Sequence, residues 1–170
     1  MTDSRELMMR SLRSVGLVLF LLLTTAAMAP AQLPDPPHGK WNTEEGMPDL
    51  SKLSFQKTPT GLLIARVRDG EQMMIPPMGS TASVHYNGYL LDGRKFDSSL
   101  KHGRPIEFTV GAGQVIKGWD EAVAQMERGA KWVLVIPPDL AYGKRGSPRS
   151  KPPIPPNAWL VFEVLLQGYK

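Results

Sequence analysis

The chain has 170 residues, with 20 Lys and Arg against 16 Asp and Glu, 42% hydrophobic residues and no cysteine. Its length suits one domain with a single core, and the absence of cysteine excludes a disulfide framework. The small basic excess argues against a dedicated nucleic-acid binder, which usually carries a basic stripe.

The N-terminus has the pattern of a secretory signal. Three arginines lie within the first 13 residues, an unbroken apolar run covers residues 15–23, and small residues continue to Ala31. The alternative is an uncleaved anchor, but the run is shorter than the roughly 20 apolar residues that a spanning helix needs. We therefore expect an exported, periplasmic protein without stable membrane insertion.

Two Ala-x-Ala frames, at residues 27–29 and 29–31, compete as the cleavage site. The first would place Pro30 directly after the cleaved bond, where proline is poorly tolerated. Cleavage is therefore expected before Gln32, with residues 1–31 as the signal peptide.

Residues 32–60 are Pro-rich and then polar, with few periodic apolar residues. This composition predicts a linker or a loosely docked extension. Trp41 is expected to pack on the domain, with a partner contact as the alternative. Ordered structure is predicted to begin near Gly61, so the folded domain covers residues 61–170.

The rest of the chain reads as short strands with one helix. Strands are predicted near residues 62–67, 81–89, 106–110, 131–136 and 158–166, from alternation and β-branched content. Asp92-Gly93 predicts a hairpin turn. The one helical stretch is 119–126, with Gly129 as its stop. About five strands and a lone helix indicate an α+β domain in which the sheet wraps the helix.

The sequence offers little for metal, nucleophilic or phosphate chemistry. His38, His85 and His102 lack the spacing of a metal site, and no serine sits in a nucleophile elbow. The glycine-rich residues 111–114 lack the third glycine and the Lys-Ser/Thr pair of a phosphate loop. We expect no metal and no cofactor, and a pocket that works by shape and desolvation.

A basic cluster follows the predicted fourth strand. Lys144, Arg145, Arg149 and Lys151 fall within eight residues. They fit either a solvated loop, the usual behaviour of charge runs, or a rim that favours acidic partners. The sequence leaves both open.

Several ordered motifs resemble one family. VHYNGYLLDGRKFDSS, GAGQVIKGWDEAVAQMERGAKW, IPPDLAYGKRG and IPPNAWLVFEVLL are similar to segments of the FKBP-type peptidyl-prolyl cis-trans isomerases, immunophilins that bind FK506-like macrolides. The resemblance covers residues 60–170 and implies a curved antiparallel sheet folded across one short helix. It also implies an isomerase of Xaa-Pro bonds that acts on unfolded or exported polypeptides, and we expect a monomer.

The same resemblance implies the site residues. The catalytic positions are Tyr86, Phe96, Asp97, Ile116, Trp119 and Tyr142. The substrate-binding positions are Ile106, Val115, Ile154 and Phe162. Trp119 is expected to form the pocket floor, the Tyr142 hydroxyl to donate to a substrate carbonyl, and Asp97 to be a buried carboxylate that pairs with Tyr86 and orients its phenol.

Three departures from the family pattern matter, one of which is the slightly longer and more basic loop after Tyr142, with Ser147 where a His is common. Ile106 stands where many members have an aromatic residue, which predicts an altered preference for the residue before proline. His102 stands where the best-studied members have an Arg, so an Arg partner for Asp97 is not carried over. The alternative function is a non-catalytic proline-peptide binding module or a holdase chaperone.

Overall fold

The computed structural model describes residues 46–170. The expectations for signal cleavage before Gln32 and for Trp41 lie outside these residues. Within the described range, no helix combines the length and apolar character needed to cross a membrane.

The fold consists of seven antiparallel strands and one short α-helix. The strands are β1 (Gln56–Lys57), β2 (Leu63–Arg68), β3 (Thr81–Leu90), β4 (Lys95–Ser98), β5 (Ile106–Thr109), β6 (Lys131–Ile136) and β7 (Leu160–Tyr169), and the helix is α1 (Lys117–Val123). The predicted α+β class is confirmed. β1 and β4 come in addition to the five predicted strands, because they are too short to show an alternating pattern.

One edge of the long strand β3 is shared by two short strands, which leaves a gap in the pairing between them. The strand order is β1-β2-β6-β7-β3-β4, and β5 also pairs with β3. Along one edge of β3, β5 pairs with residues 81–84 and β4 pairs with residues 87–89. His85 and Tyr86 lie between these two pairings. The Tyr86 N–H donates instead to the Ser99 hydroxyl at 2.9 Å, just beyond β4.

The sheet is buried on both faces. Along β6, Trp132, Leu134 and Ile136 belong to a core cluster that includes α1, whereas Val133 and Val135 belong to a second cluster on the opposite face. This alternation follows from the two-residue period of a strand. Burial on both faces explains why this strand reads as a continuous apolar run.

The second face is covered by residues that precede β1. Met47, Leu50 and Phe55 are at most 5% exposed and pack with Leu63 of β2. Ordered structure therefore begins well before Gly61, and the prediction of a loosely docked extension is wrong for residues 47–55. The signal was missed because these three side chains have no regular spacing, whereas burying each one stabilises the fold by roughly 1.5–3 kcal/mol.

The helix starts and ends earlier than the predicted 119–126. After Val123, the chain continues in a tighter turn in which Met126 N–H donates to the Val123 carbonyl at 3.2 Å. A three-residue spacing of apolar side chains fits either geometry. Gly118 allows α1 to lie close to the sheet, because a Cβ there would be 2.7 Å from Cγ2 of Ile136.

Candidate active site

A cavity of about 640 Å³ lies between the start of α1, strands β3 and β4, and the loop that follows β6. Nine of the ten residues assigned from the sequence line it: Tyr86, Phe96, Asp97, Ile106, Val115, Ile116, Trp119, Tyr142 and Phe162. The exception is Ile154, which is 3% exposed and lies in the core cluster around α1. Its backbone pairs with Ser147 and closes the loop after Tyr142.

Four further residues line the cavity that the sequence did not assign: Gly113, Gln114, Lys117 and Ala141. Each directly neighbours an assigned residue in the chain or lies two positions from one. Adjacency to Val115, Ile116 and Tyr142 was therefore the signal that could have found them.

Trp119 is packed among aromatic rings at the base of the cavity. Its ring centroid lies 4.9 Å from that of Tyr86 and 5.3 Å from that of Phe162, both nearly perpendicular. Phe108 of β5, which the sequence did not assign, lies 6.0 Å away. These edge-to-face contacts hold the indole in place.

The indole N–H of Trp119 is buried and has no acceptor among residues 46–170. Leaving a buried donor unpaired costs about 1–3 kcal/mol. The indole N–H therefore destabilises the fold, whereas the ring supplies apolar surface to the cavity.

Gly88 lets two phenylalanines close one wall of the cavity. Phe96 and Phe162 meet edge-on with centroids 5.5 Å apart. A Cβ at Gly88 would be 2.8 Å from a ring atom of each. The bare backbone at this point of β3 is thus required for the aromatic wall.

Asp97 organises a small polar group at the cavity edge. Its Oδ2 accepts from the Tyr86 hydroxyl at 2.6 Å, and its Oδ1 accepts from the Ser98 N–H at 2.8 Å. Burial raises the pKa of Tyr86 well above its usual range, and the hydrogen bond to Asp97 raises that pKa further. The phenol is therefore a neutral donor at physiological pH.

Asp97 is half-buried and not fully buried as expected, since 44% of its side chain is exposed. The carboxylate lies near the end of β4, on the open side of the cavity. His102 Nε2 lies 3.7 Å from Asp97 Oδ1 and forms an ion pair when the imidazole is protonated. His102 thus lies beside Asp97 at the position where the resemblance leads one to look for an Arg.

Two donors at the cavity have no acceptor among the described residues. One is the Ile116 N–H, just before α1, and the other is the Tyr142 hydroxyl. Tyr142 is 39% exposed. Its partial burial raises the pKa of the phenol, and the negative charge of Asp97 raises that pKa further. Both groups are available to a bound ligand.

The glycine-rich loop before α1 is fixed by Asp120. The Gly111 and Gly113 N–H groups donate to the two carboxylate oxygens at 3.0 and 2.8 Å. Gln114 Oε1 accepts from the Thr109 N–H at 2.8 Å. These bonds satisfy the loop internally and position Val115 and Ile116 for the cavity.

A second, more polar groove of about 870 Å³ adjoins the cavity and shares Tyr86 and Ile106 with it. Its other lining residues are Ser99, His102, Arg104, Pro105 and Glu107. The groove lies where β4 and β5 leave the edge of β3. Among residues 46–170, no group of three His, Asp or Glu side chains could hold a metal ion.

Comparison with known proteins gives consistent matches. Residues 74–167 match the family model of the FKBP-type peptidyl-prolyl cis-trans isomerase. FK506-binding protein 1 of Dictyostelium discoideum is 51% identical over 110 residues, which are 65% of this chain and 99% of the relative. The peptidyl-prolyl cis-trans isomerase Fkbp12 of Drosophila melanogaster is 45% identical over 106 residues, 62% of this chain and 95% of the relative. The crystal structure of AtFKBP13 superposes with a TM-score of 0.64 at 36% identity, covering 69% of this chain and 99% of that one.

Proposed function

The chain belongs to the FKBP-type peptidyl-prolyl cis-trans isomerase family, and we propose that the cavity around Trp119 is the site at which it isomerises Xaa-Pro bonds. The observation that carries this proposal is the composition of one cavity. It combines perpendicular aromatic rings around Trp119 with two donors that lack acceptors among the described residues.

The chemistry is rotation about an amide bond. The planar amide is stabilised by resonance, and rotation passes a twisted state about 18–20 kcal/mol higher. Proline is the natural target because its cis and trans forms differ by only about 0.5–1 kcal/mol while their exchange is slow.

An apolar cavity lowers this barrier by differential binding. The planar amide is the more dipolar form, so transfer from water to an aromatic surface disfavours it relative to the twisted form. An enzyme accelerates a reaction to the extent that it binds the transition state more tightly than the ground state. No nucleophile, acid or base is needed for this reaction.

The roles of individual residues follow from their positions. Trp119 and Phe162 would contact the proline ring, and Phe96 and Val115 would complete the apolar wall. The Ile116 N–H and the Tyr142 hydroxyl would donate to carbonyls of the substrate that flank the rotating bond.

Asp97 would act through Tyr86. Its carboxylate holds the phenol at 2.6 Å, which places the Tyr86 ring 4.9 Å from that of Trp119. Asp97 is thus a positioning residue for the aromatic wall.

Ile106 would contact the residue before proline. It is 36% exposed at the junction of the cavity and the polar groove. An aliphatic side chain gives less contact area and lower polarisability than an aromatic ring, so the preference for that residue should be shifted. FK506-like macrolides are the proposed small-molecule ligands of the same cavity, in keeping with the name of the Dictyostelium relative.

The test compares two tryptophans by NMR exchange spectroscopy on an Xaa-Pro peptide. Trp119→Leu should lower kcat/KM at least about tenfold, equivalent to roughly 1.4 kcal/mol of transition-state stabilisation. Trp132→Leu is the matched control, because Trp132 is equally buried in the same core cluster but does not line the cavity. Melting curves check that both variants are folded. Equal losses of activity would refute the assignment of the site.

Export is a separate proposal. It is supported by the order of arginines, apolar run and small residues in positions 1–31. In this account the protein assists the folding of exported chains in the periplasm. N-terminal sequencing of secreted protein should give Gln32 as the first residue, and intact Met1 in a membrane fraction would contradict cleavage.

A further inference from the structure

Positive charge is concentrated around the candidate site. Three segments, residues 98–106, 113–119 and 140–157, each contribute residues to the lining of the cavity or of the adjoining groove and continue beyond it. Together they contain seven Lys and Arg and no Asp or Glu, which leaves nine basic and eleven acidic residues in the rest of 46–170. We call these seven side chains the cationic rim. The basic excess of the described domain therefore lies at the site.

The rim cations form no ion pair with an acidic residue among residues 46–170. Within residues 46–170, the ion pairs of Lys and Arg all involve residues outside the rim. Two acids line the same space: Asp97, which accepts from the Tyr86 hydroxyl, and Glu107, which pairs with Lys170 at 3.2 Å. The cationic rim thus carries charge that no acid of the described part of the chain pairs with, and Arg104 and Lys117 bring it to the groove and the cavity.

The densest part of the rim is held in a fixed position beside Tyr142. Lys144 and Arg145 are exposed on the 3-10 turn Gly143–Arg145, which begins directly after that tyrosine. The Asn157 N–H donates to the Gly143 carbonyl at 2.9 Å, and a backbone bridge between residues 147 and 154 closes the loop. A loop tied at both ends keeps its charges near the cavity wall.

We propose that the cationic rim selects Xaa-Pro bonds in acidic sequence, with Asp or Glu within about three residues of the proline. This inference rests on the proposed site. An extended chain advances about 3.3 Å per residue, so side chains one to three positions away lie roughly 3–10 Å from the proline. Lys117 in the cavity wall and Arg104 in the groove wall are therefore within reach of such carboxylates, and Lys144 follows the lining residue Tyr142 by two positions. A polypeptide is the occupant favoured by the geometry, because the rim surrounds an apolar cavity that suits a proline ring.

The test uses three peptides with the same Xaa-Pro pair, flanked by Glu, Gln or Lys. NMR gives both the dissociation constant, by titration, and kcat/KM, by exchange spectroscopy. At low ionic strength, we expect the Glu peptide to exceed the Gln peptide by roughly threefold to tenfold in kcat/KM, the effect of two or three exposed ion pairs. The Lys peptide should fall below the Gln peptide. Raising the salt to about 1 M, where the screening length is about 3 Å, should remove most of the difference.

Charge reversal identifies the residues responsible. Lys144→Glu combined with Arg145→Glu should shrink the advantage of the Glu peptide over the Lys peptide, because it lowers the net charge of the rim from seven positive to three positive. Lys57→Glu is the matched control, because Lys57 is exposed on β1 at the opposite edge of the sheet and should leave that advantage unchanged.

The outcomes separate this inference from the proposed site. Equal binding and turnover of the three peptides, with Trp119→Leu still impaired, would refute selection by the cationic rim while leaving the proposed site in place. A second outcome is that the peptides bind with a charge preference while Trp119→Leu and Trp132→Leu are equally active. That result would support binding of acidic peptides by the cationic rim and would refute the assignment of the isomerase site to the Trp119 cavity. A single-stranded oligonucleotide that binds more tightly than the Glu peptide, and loses binding in the Lys144→Glu, Arg145→Glu variant, would overturn the choice of a polypeptide.

Discussion

The pair Tyr86 and Asp97 allows a sharp test, because a carboxylate in an active-site cavity could either transfer protons or only position a neighbour. The Tyr86 hydroxyl donates to Asp97 Oδ2 at 2.6 Å. If the carboxylate acts only through the phenol, removing either partner should give the same defect. The experiment is a double-mutant cycle with Tyr86→Phe, Asp97→Ala and the double variant.

The magnitude follows from the type of hydrogen bond and its exposure. Hydrogen bonds to charged groups contribute about 1.5–3 kcal/mol, and the 44% exposure of Asp97 places this bond at the lower end. If all of that value is expressed in the transition state, kcat/KM falls about tenfold in each single variant. The double variant should also fall about tenfold, and not the roughly hundredfold expected of independent groups.

The assay is kcat/KM by NMR exchange spectroscopy, with urea unfolding to check stability. Asp97→Asn should recover part of the activity, because a carboxamide oxygen still accepts from the phenol. A loss of about a thousandfold in Asp97→Ala, with Tyr86→Phe nearly normal, would refute the positioning role and indicate proton transfer by the carboxylate.

Three further predictions concern packing and ionisation. Leu50→Ala should reduce the free energy of unfolding by about 2–5 kcal/mol, because the side chain is fully buried against the second face of the sheet; a change below about 1 kcal/mol in urea unfolding would contradict the packing of residues 47–55. Gly88→Ala should destabilise by about 1–3 kcal/mol and lower kcat/KM, because its Cβ would overlap two phenylalanine rings; Gly168→Ala, whose Cβ would meet its nearest atom at 3.7 Å, is the control. The pKa values of Tyr86 and Tyr142 are raised by burial, so their folded values exceed the unfolded value of about 10. The stability they contribute is therefore complete below about pH 10 and lost as the pH rises through the folded pKa. Ultraviolet titration should show their phenolates appearing later than that of free tyrosine, and normal titration of both would contradict the burial.

The sequence predicted the fold where the apolar pattern was regular. β3, β6 and β7 carry β-branched or alternating residues over six or more positions, so their existence and approximate bounds could be read directly. The packing of Met47, Leu50 and Phe55 could not, since three isolated apolar side chains among polar residues have no period. The apolar pattern also could not locate the end of α1, because the i, i+3 spacing of Val123 and Met126 occurs both in a helix and in a tighter turn.

The candidate site was predicted in its aromatic part because those residues sit in ordered, closely spaced motifs. What the sequence could not give were facts that depend on three-dimensional placement. These include the exposure of Asp97, the approach of His102 to it, and the use of Asp120 to hold the glycine-rich loop. That the rim cations lack ion pairs within residues 46–170 belongs to the same class, because a charge run alone does not show which acids lie beside it.

In the proposed mechanism, this cavity lowers the rotational barrier by shape and desolvation, without moving a proton. The most direct measurement is kcat/KM for one Xaa-Pro peptide in H₂O and in D₂O at matched acidity. Rotation of an amide in an apolar cavity predicts a ratio close to unity and the same ratio in Asp97→Asn. A ratio well above unity that falls to unity in Asp97→Asn would contradict this mechanism, because it would show that a proton is transferred in the transition state.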